Sequence, residues 1–246
     1  MACADLETSS ADYASRFAGK TGRWLLEIQA RILHGYFKGS IHNHQEPVTV
    51  LDVGGGHGQI AETLNGSSFA PLVTLTVLGS DPAAKQTLES VTLDKLYKCE
   101  FQVGSFERLP FPDQSIDLVT CLRLLPHYDN WQHLVGELCR VSRRAVIVDV
   151  PTYRSVNILS HLLFPLKKRL EGNTRTYTLF DRAEVVRCFA KNKFDFVDIR
   201  GEFFFPMVLH RKLKSPIISE LLEALPRVLG LTDGFGSPVL MRAIRG

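Results

Sequence analysis

The fold of this 246-residue chain is decided by the stretch Val50-Leu51-Asp52-Val53-Gly54-Gly55-Gly56-His57-Gly58. A short apolar run ends in an acidic residue and clustered glycines, which predicts a buried strand over 48–53, a tight turn and a following helix. Open α/β sheets bind ligands at the carboxyl ends of their strands. Glycines let a ligand approach the backbone, and the helix offers free N–H groups. The stretch therefore predicts a ligand site at the end of the first strand.

Strand-like and helical patterns alternate around this stretch. Apolar residues recur on one face over 10–37, which predicts an N-terminal helix. Further strands are predicted over 72–79, 99–103, 115–121, 145–150, 194–205 and 238–244, and further helices over 82–88, 130–141, 155–170, 181–191 and 216–229. This order predicts an α/β fold: a doubly wound, mostly parallel, Rossmann-like seven-stranded sheet with an N-terminal helix and helical insertions in the C-terminal third.

Composition places the chain among soluble globular proteins, with 45% hydrophobic and 22% charged residues. The longest nearly apolar stretch, residues 156–166, is shorter than the ~20 residues of a membrane-spanning helix. Acidic Asp5 and Glu7 stand where a secretory signal has basic residues. Five scattered cysteines without a C-x-x-C pair indicate reduced thiols. We therefore expect a cytoplasmic protein, with peripheral membrane contact left open.

The charge is unevenly distributed along the chain. Residues 1–139 hold 10 basic and 16 acidic residues, and residues 140–246 hold 19 and 10, so the net charges are −6 and +9. A basic half suits an anionic substrate, a membrane surface or a nucleic acid. The basic residues are mostly single, however, which favours solvated helix surfaces, and we expect no nucleic-acid partner.

Two nucleotide cofactors compete for the glycine turn. A dinucleotide fingerprint, G-x-G-x-x-G, requires a third glycine where this chain has Gln59. The pattern is instead D-x-G-x-G-x-G. The second strand also ends in an acidic residue, Asp81, whose carboxylate can accept hydrogen bonds from both hydroxyls of a ribose.

The glycine stretch resembles the first motif of class I S-adenosylmethionine-dependent methyltransferases. A second stretch, residues 103–119, resembles the G-D-A-x-x-L-P-F-P-D-x-S-F-D-L-V signature of the ubiquinone/menaquinone-type (methyltransferase type 11) family, with Ser105 in place of its acidic residue. The L-x-H … E-x-x-R-V pattern that ends in Val141 follows at the family spacing. The resemblance implies S-adenosylmethionine as the cofactor and implies these cofactor-binding residues: Asp52, Gly54, Gly56, Asp81, Pro82, Ser105, Phe106 and Cys121.

Methyl transfer is an in-line displacement on an activated methyl group, so the protein mainly positions the acceptor and excludes water. His127, just beyond the fourth strand, is our candidate general base, because imidazole titrates near neutrality. His42 and His44 lack a third ligand nearby, so we predict no metal site. Tyr13 and Arg23 are candidates for covering the cofactor.

The resemblance also suggests how the single domain is organised. We expect a helical cover over 1–45, a cofactor-binding core over 46–150, and acceptor-site insertions over 151–180 and 206–236. Arg154, Arg175 and Tyr177 are candidates for meeting an anionic or phenolic acceptor. The run Phe203-Phe204-Phe205 suggests a partly apolar or aromatic small molecule, methylated on O, C or N.

Three other functions remain open at this point. The chain could be a nucleotide-dependent oxidoreductase, although the missing G-x-G-x-x-G pattern argues against it. It could be a non-catalytic methyltransferase-like module that binds S-adenosylmethionine. It could also methylate RNA or protein, for which the basic half gives some support.

Overall fold

One sheet organises the protein. The computed structural model describes residues 16–41, 47–65, 67–68, 70–82, 85, 88, 97–155 and 177–246. The described residues contain seven strands: β1 (Val48–Val53), β2 (Val73–Gly79), β3 (Lys98–Val103), β4 (Ile116–Cys121), β5 (Ser142–Val150), β6 (Phe194–Gly201) and β7 (Val239–Arg245). Their order across the sheet is β3-β2-β1-β4-β5-β7-β6.

The strand directions bring most carboxyl ends to one edge. Strands β1 to β5 pair in parallel, and β7 is antiparallel to both of its neighbours. Val239, the first residue of β7, lies opposite Val150 and Gly201. Strands β1 to β6 therefore all end at the same edge, where β7 begins, and we call this edge the carboxyl edge.

Helices cover both faces of the sheet. They are α1 (Gly19–Ile41), α2 (Gln59–Asn65), α3 (Trp131–Val141), α4 (Arg182–Lys191), α5 (Met207–Leu213), α6 (Pro216–Val228) and α7 (Leu231–Phe235). Apolar residues of α3 and α4 fill one face, and those of α1 and α2 fill the other. A smaller cluster joins Trp24, Leu25 and Ile28 to Phe203 beyond the carboxyl edge. The first half of α1 thus reaches the site end of the sheet.

The predicted α/β architecture is confirmed, and β1 has the predicted bounds. The first helix extends further than predicted, to Ile41, because its buried face continues through Phe37 and Ile41. Residues 10–15 of that prediction lie outside the described residues, as do most of the predicted helices over 82–88 and 155–170.

The strand predicted over 194–205 is too long, since β6 ends at Gly201. The backbone N–H groups of Phe204 and Phe205 donate to the two carboxylate oxygens of Glu223, each at 2.9 Å. Phe203 is fully buried. The phenylalanine run therefore leaves the sheet because a carboxylate of α6 takes the hydrogen bonds that a neighbouring strand would otherwise supply.

Candidate functional site

The glycine turn between β1 and α2 lies at the carboxyl edge. The N–H of Gly54 donates to the carbonyl of Leu78 at 2.8 Å, which ties the turn to the end of β2. Gly54 and Gly58 both have φ of 75°. A Cβ atom at Gly54 would come within 2.9 Å of the Leu124 side chain. Backbone conformation and space both require glycine there.

Asp52 lies beneath this turn and is completely buried. Its Oδ1 accepts a hydrogen bond of 2.8 Å from the hydroxyl of Thr120 on β4. Its Oδ2 is buried and has no hydrogen-bond partner. Burial raises the pKa of Asp52 to about 7, although the bond from Thr120 and the charge of Arg123 oppose the rise. Asp52 thus presents an unused acceptor atom at the end of β1.

A polar network adjoins Asp52. Arg123, two residues after β4, has φ of 62°, and its guanidinium donates to the side-chain oxygens of Gln29 and Gln59. The amide of Gln59 also donates to Gln29. The guanidinium lies 4.2 Å from the ring centroid of Phe17. The middle of α1, the start of α2 and the segment after β4 are therefore joined by one cation and two amides.

Two more buried carboxyl groups complete the network. The amide of Gln29 donates to Glu202 at 2.6 Å and to Asp149 at 3.3 Å. Asp149 also accepts from the backbone N–H of Arg123. Burial raises the pKa of both acids, that of Glu202 to about 8 with the added effect of the Asp149 charge.

The charges of this network are unbalanced. Among the described residues, Asp52, Asp149 and Glu202 face one guanidinium, that of Arg123. His57 adds no positive charge, because burial and then the charge of Arg123 lower its pKa to about 3. A cation brought to this edge would favour the ionised carboxylates, and the partnerless Oδ2 of Asp52 can accept a hydrogen bond from it.

The remaining predicted cofactor residues stand at neighbouring strand ends. Asp81 is half-buried and Pro82 exposed just after β2, and Gly56 is buried within the glycine turn. Beyond β3, the exposed Ser105 accepts a hydrogen bond of 3.1 Å from the N–H of Glu107. Phe106 and Cys121 are buried in the core. The structure gathers these residues along the carboxyl edge, and their contacts with a cofactor stay a prediction.

His127 lies at the same edge, in a short 3-10 turn after β4. The carbonyl of Pro126 accepts a hydrogen bond of 2.9 Å from the N–H of Thr178, so Thr178 lies beside the turn that holds His127. The hydroxyl of Tyr128 donates to Glu107 at 2.8 Å.

Two further predicted residues lie elsewhere in the described structure. Arg23 is exposed on α1. Arg154 lies 5.1 Å from the ring centroid of Phe235.

Comparison with known proteins identifies the central part of the chain. Residues 51–148 match the family model described as "Methyltransferase domain". The match spans about two fifths of the chain and lies within the sheet of order β3-β2-β1-β4-β5-β7-β6. Residues 51–148 form a class I S-adenosylmethionine-dependent methyltransferase domain. The resemblance predicted from the motifs is confirmed.

Relatives of this methyltransferase domain occur in a bacterium and in a yeast. It is similar to the uncharacterized methyltransferase YcgJ of Bacillus subtilis, at 36% identity over 107 residues, 41% of this chain and 40% of that protein. An uncharacterized methyltransferase of Schizosaccharomyces pombe is 30% identical over 125 residues, 47% of this chain and 42% of that protein. The chain thus spans about two fifths of the length of these curated relatives.

A solved structure shares the fold of the methyltransferase domain and its additions. Magnesium protoporphyrin IX methyltransferase from Synechocystis PCC 6803, crystallised with bound SAH, superposes with a TM-score of 0.59 at 13% identity. The match covers 96% of this chain and 93% of the other. At this identity the likeness shows the fold alone.

The polar network around Arg123 was not predicted from the sequence. Gln29 is a polar residue on an otherwise apolar helix face, Asp149 is an acid within the apolar run of β5, and Glu202 directly follows β6. Each of these polar residues stands where the sequence pattern predicts a buried position, and this mismatch could have indicated a buried polar group. The positive φ and inward course of Arg123 have no such signal.

Several residues singled out in the sequence lie outside the described residues: Tyr13, His42, His44 and Arg175. Within the described part of the chain, no three His, Cys, Asp or Glu residues are grouped so as to hold a metal ion. The helices there include none with the length and apolar character needed to cross a membrane.

Proposed function

We propose that the chain transfers the methyl group of S-adenosylmethionine to an oxygen, carbon or nitrogen atom of a small, partly apolar molecule. The observation that carries this proposal is the unused, buried Oδ2 of Asp52 beneath a glycine turn at the carboxyl edge. A buried acceptor without a partner costs ~1–3 kcal/mol, which a bound donor would recover.

The residues at this edge fit the methionine part of the cofactor, which carries an ammonium and a sulfonium group. The positive charges suit the excess of buried carboxyl groups, and Asp52 can accept directly from the ammonium. Arg123, whose guanidinium already meets the two amide oxygens of Gln29 and Gln59, can pair with the methionine carboxylate. The cofactor supplies a methyl group already activated for displacement.

Asp81 and the residues after β3 are assigned to the nucleoside part. Asp81 is half-buried beyond the end of β2, the strand beside β1, where a carboxylate can accept from both ribose hydroxyls. The Oγ of Ser105 already accepts from the N–H of Glu107. We therefore expect recognition of the nucleoside to depend more on Asp81, through the ribose, and on backbone groups, through the adenine, than on Ser105.

His127 is proposed as the base for an acceptor that must lose a proton. It follows β4, the strand beside β1, so its turn flanks the predicted position of the methyl group. A hydroxyl, phenol or acidic C–H needs such a base, whereas an amine or a preformed anion needs only positioning. Tyr128 is committed to Glu107, and burial raises its pKa to about 12, so His127 is the better base of the two.

The acceptor is proposed to be small because the site lies among strand ends and helix α1. Phe203 is buried in a packing cluster and does not line an open acceptor site, but Phe204 and Phe205 are half-buried. A protein of the same fold is named magnesium protoporphyrin IX methyltransferase, which is in keeping with a small-molecule acceptor. The segments 151–180 and 206–236 stay the proposed acceptor-site insertions.

Isothermal titration calorimetry with S-adenosylmethionine, and separately with NAD⁺, tests the cofactor. We expect binding of the first alone, weakened in Asp52→Asn and unchanged in the surface control Asp195→Asn. Transfer of a labelled methyl group into a whole-cell extract, which is then separated into small molecules, RNA and protein, tests the reaction. Binding without any transfer would favour a non-catalytic module, and label in RNA or protein would favour a macromolecular acceptor.

A further inference from the structure

One face of α6 exposes an apolar stripe. Ile217, Leu221, Leu225 and Val228 recur at helical spacing and are between 66% and 84% exposed. The opposite face of the helix is buried through Ser219, Glu223 and Pro226. Scattered exposed apolar residues are ordinary, but a contiguous stripe of this kind marks a binding surface.

Neighbouring residues widen this stripe. Ile218, Leu222 and Leu229 flank it on the same helix and the turn that follows, and each is also exposed. Of the large apolar side chains exposed among the described residues, most lie between residues 209 and 235. The stripe is therefore the main apolar surface of the described protein.

The charges around the stripe are mostly basic, since residues 207–230 hold four Lys or Arg residues and two acids. Lys212 and Lys214, which lie just before α6, are exposed. The acids of residues 203–230, a range that the structure describes completely, are Glu220 and Glu223. Glu220 accepts from the indole of Trp24 at 2.7 Å and pairs with Arg227 at 2.9 Å.

Glu223 is turned fully inward. It is completely buried, it accepts the N–H groups of Phe204 and Phe205, and it lies 3.0 Å from Nε2 of His210. Both acids of α6 thus make contacts within the chain, although the side chain of Glu220 is 44% exposed. The residues of the stripe themselves are all apolar.

We infer that this face of α6 docks the protein onto a bilayer surface that contains anionic lipids. An apolar helix face with flanking lysines is the arrangement by which helices lie in a membrane interface, where the side chains enter the acyl boundary and the lysines meet phosphate groups. A second copy of the chain docked through the same face would bring an equal excess of positive charge opposite these lysines. The inference does not rest on the proposed methyl transfer.

Docking would set the orientation of the carboxyl edge. Through the bond of Glu220 to Trp24, α6 is joined to α1, and Gln29 of α1 belongs to the polar network at that edge. The membrane would therefore lie on the side of the molecule where α6 contacts α1.

Vesicle flotation with the full chain tests the inference. Vesicles of phosphatidylcholine with phosphatidylglycerol are compared with vesicles of phosphatidylcholine alone. We expect binding to the anionic vesicles, weakened by salt, and little binding to the others. Leu221→Ser with Leu225→Ser should lower the partition coefficient roughly 100-fold. Lys212→Gln with Lys214→Gln should lower it roughly 30-fold.

All substituted side chains are exposed, so the variants should keep the thermal stability of the parent protein, which is measured alongside. Phe196→Ser is the matched control, because Phe196 is an exposed apolar residue on β6 and should not affect flotation. Absence of flotation, or flotation that the leucine variant leaves unchanged, would overturn the inference. A second outcome would also overturn it: the parent protein does not bind vesicles but sediments as a dimer, and the leucine variant sediments as a monomer.

Discussion

Replacing Asp52 with asparagine should have opposite effects on stability and on cofactor binding. The amide oxygen of the new side chain can keep the bond from Thr120, while its amide nitrogen takes the place of the partnerless Oδ2. In the parent protein without cofactor, one oxygen of this buried carboxylate has no hydrogen-bond partner, so its ionisation at high pH destabilises the fold. The substitution removes that cost. It also removes the acceptor that the proposed cofactor ammonium uses.

The size of the stability difference between the parent protein and Asp52→Asn follows from the raised pKa of Asp52. In the unfolded chain an aspartate has a pKa of ~3.9, and in the folded protein that of Asp52 is about 7. Between these values the folded state binds more protons than the unfolded state, so stability of the parent protein falls as pH rises. Each pKa unit corresponds to ~1.4 kcal/mol. From pH 5 to pH 8 the parent should lose about 3 kcal/mol relative to Asp52→Asn.

Urea denaturation of both proteins at pH 5 and pH 8 measures this difference, and calorimetry measures affinity for S-adenosylmethionine. The lost charge-assisted hydrogen bond should weaken the affinity roughly 10–150-fold. Asp195→Asn serves as the control, since this aspartate is exposed on β6. Its stability profile should run parallel to that of the parent protein.

Two outcomes would refute the reasoning. If the free energies of unfolding of the parent and Asp52→Asn change in parallel from pH 5 to pH 8, burial does not raise the pKa of this carboxyl. If the stability difference appears but the affinity is unchanged, Asp52 is a buried structural acid and the cofactor binds elsewhere.

Other substitutions at the carboxyl edge have more direct effects. Gly54→Ala should lower the free energy of unfolding by about 1–3 kcal/mol, because φ there is 75° and Leu124 is close. The control is Gly136→Ala inside α3, where a Cβ would make only an ordinary contact with Asn192, and it should leave the free energy of unfolding unchanged or slightly raised. Equal effects of the two substitutions would contradict the strain argument. Asp81→Ala should weaken S-adenosylmethionine binding roughly 10–150-fold by calorimetry, and an unchanged affinity would end the ribose assignment. His127→Ala should lower turnover ~10²–10⁴-fold with affinity retained if the acceptor must lose a proton; parental turnover with an unchanged pH profile would remove the base role.

The sheet could be predicted because its signals are local. The first strand has its predicted bounds, 48–53, since a continuous apolar run ends in glycines that no strand interior favours. The strand predicted over 194–205 is too long because its end depends on Glu223. That carboxylate lies about twenty residues further along the chain, and no pattern within the run itself reveals it.

The candidate site could be predicted only in part, for the same reason. Asp52 and the glycines share one short stretch and a motif. The network around Arg123 draws Gln29, Gln59, Asp149 and Glu202 from separate elements, and only the strand order brings them together. Taken singly, each is an ordinary polar residue in the sequence.

The position of β7 between β5 and β6 has a consequence for how the protein is made. β6 precedes β7 in the chain, yet its sheet neighbour is β7 alone. During synthesis, the backbone of β6 has no partner strand until residues 239–245 have left the ribosome, so residues 194–201 must wait as an unpaired edge. Glu202 cannot reach its place beside Gln29 before that insertion. The network at the carboxyl edge is therefore among the last parts of the molecule to assemble, after the glycine turn it surrounds.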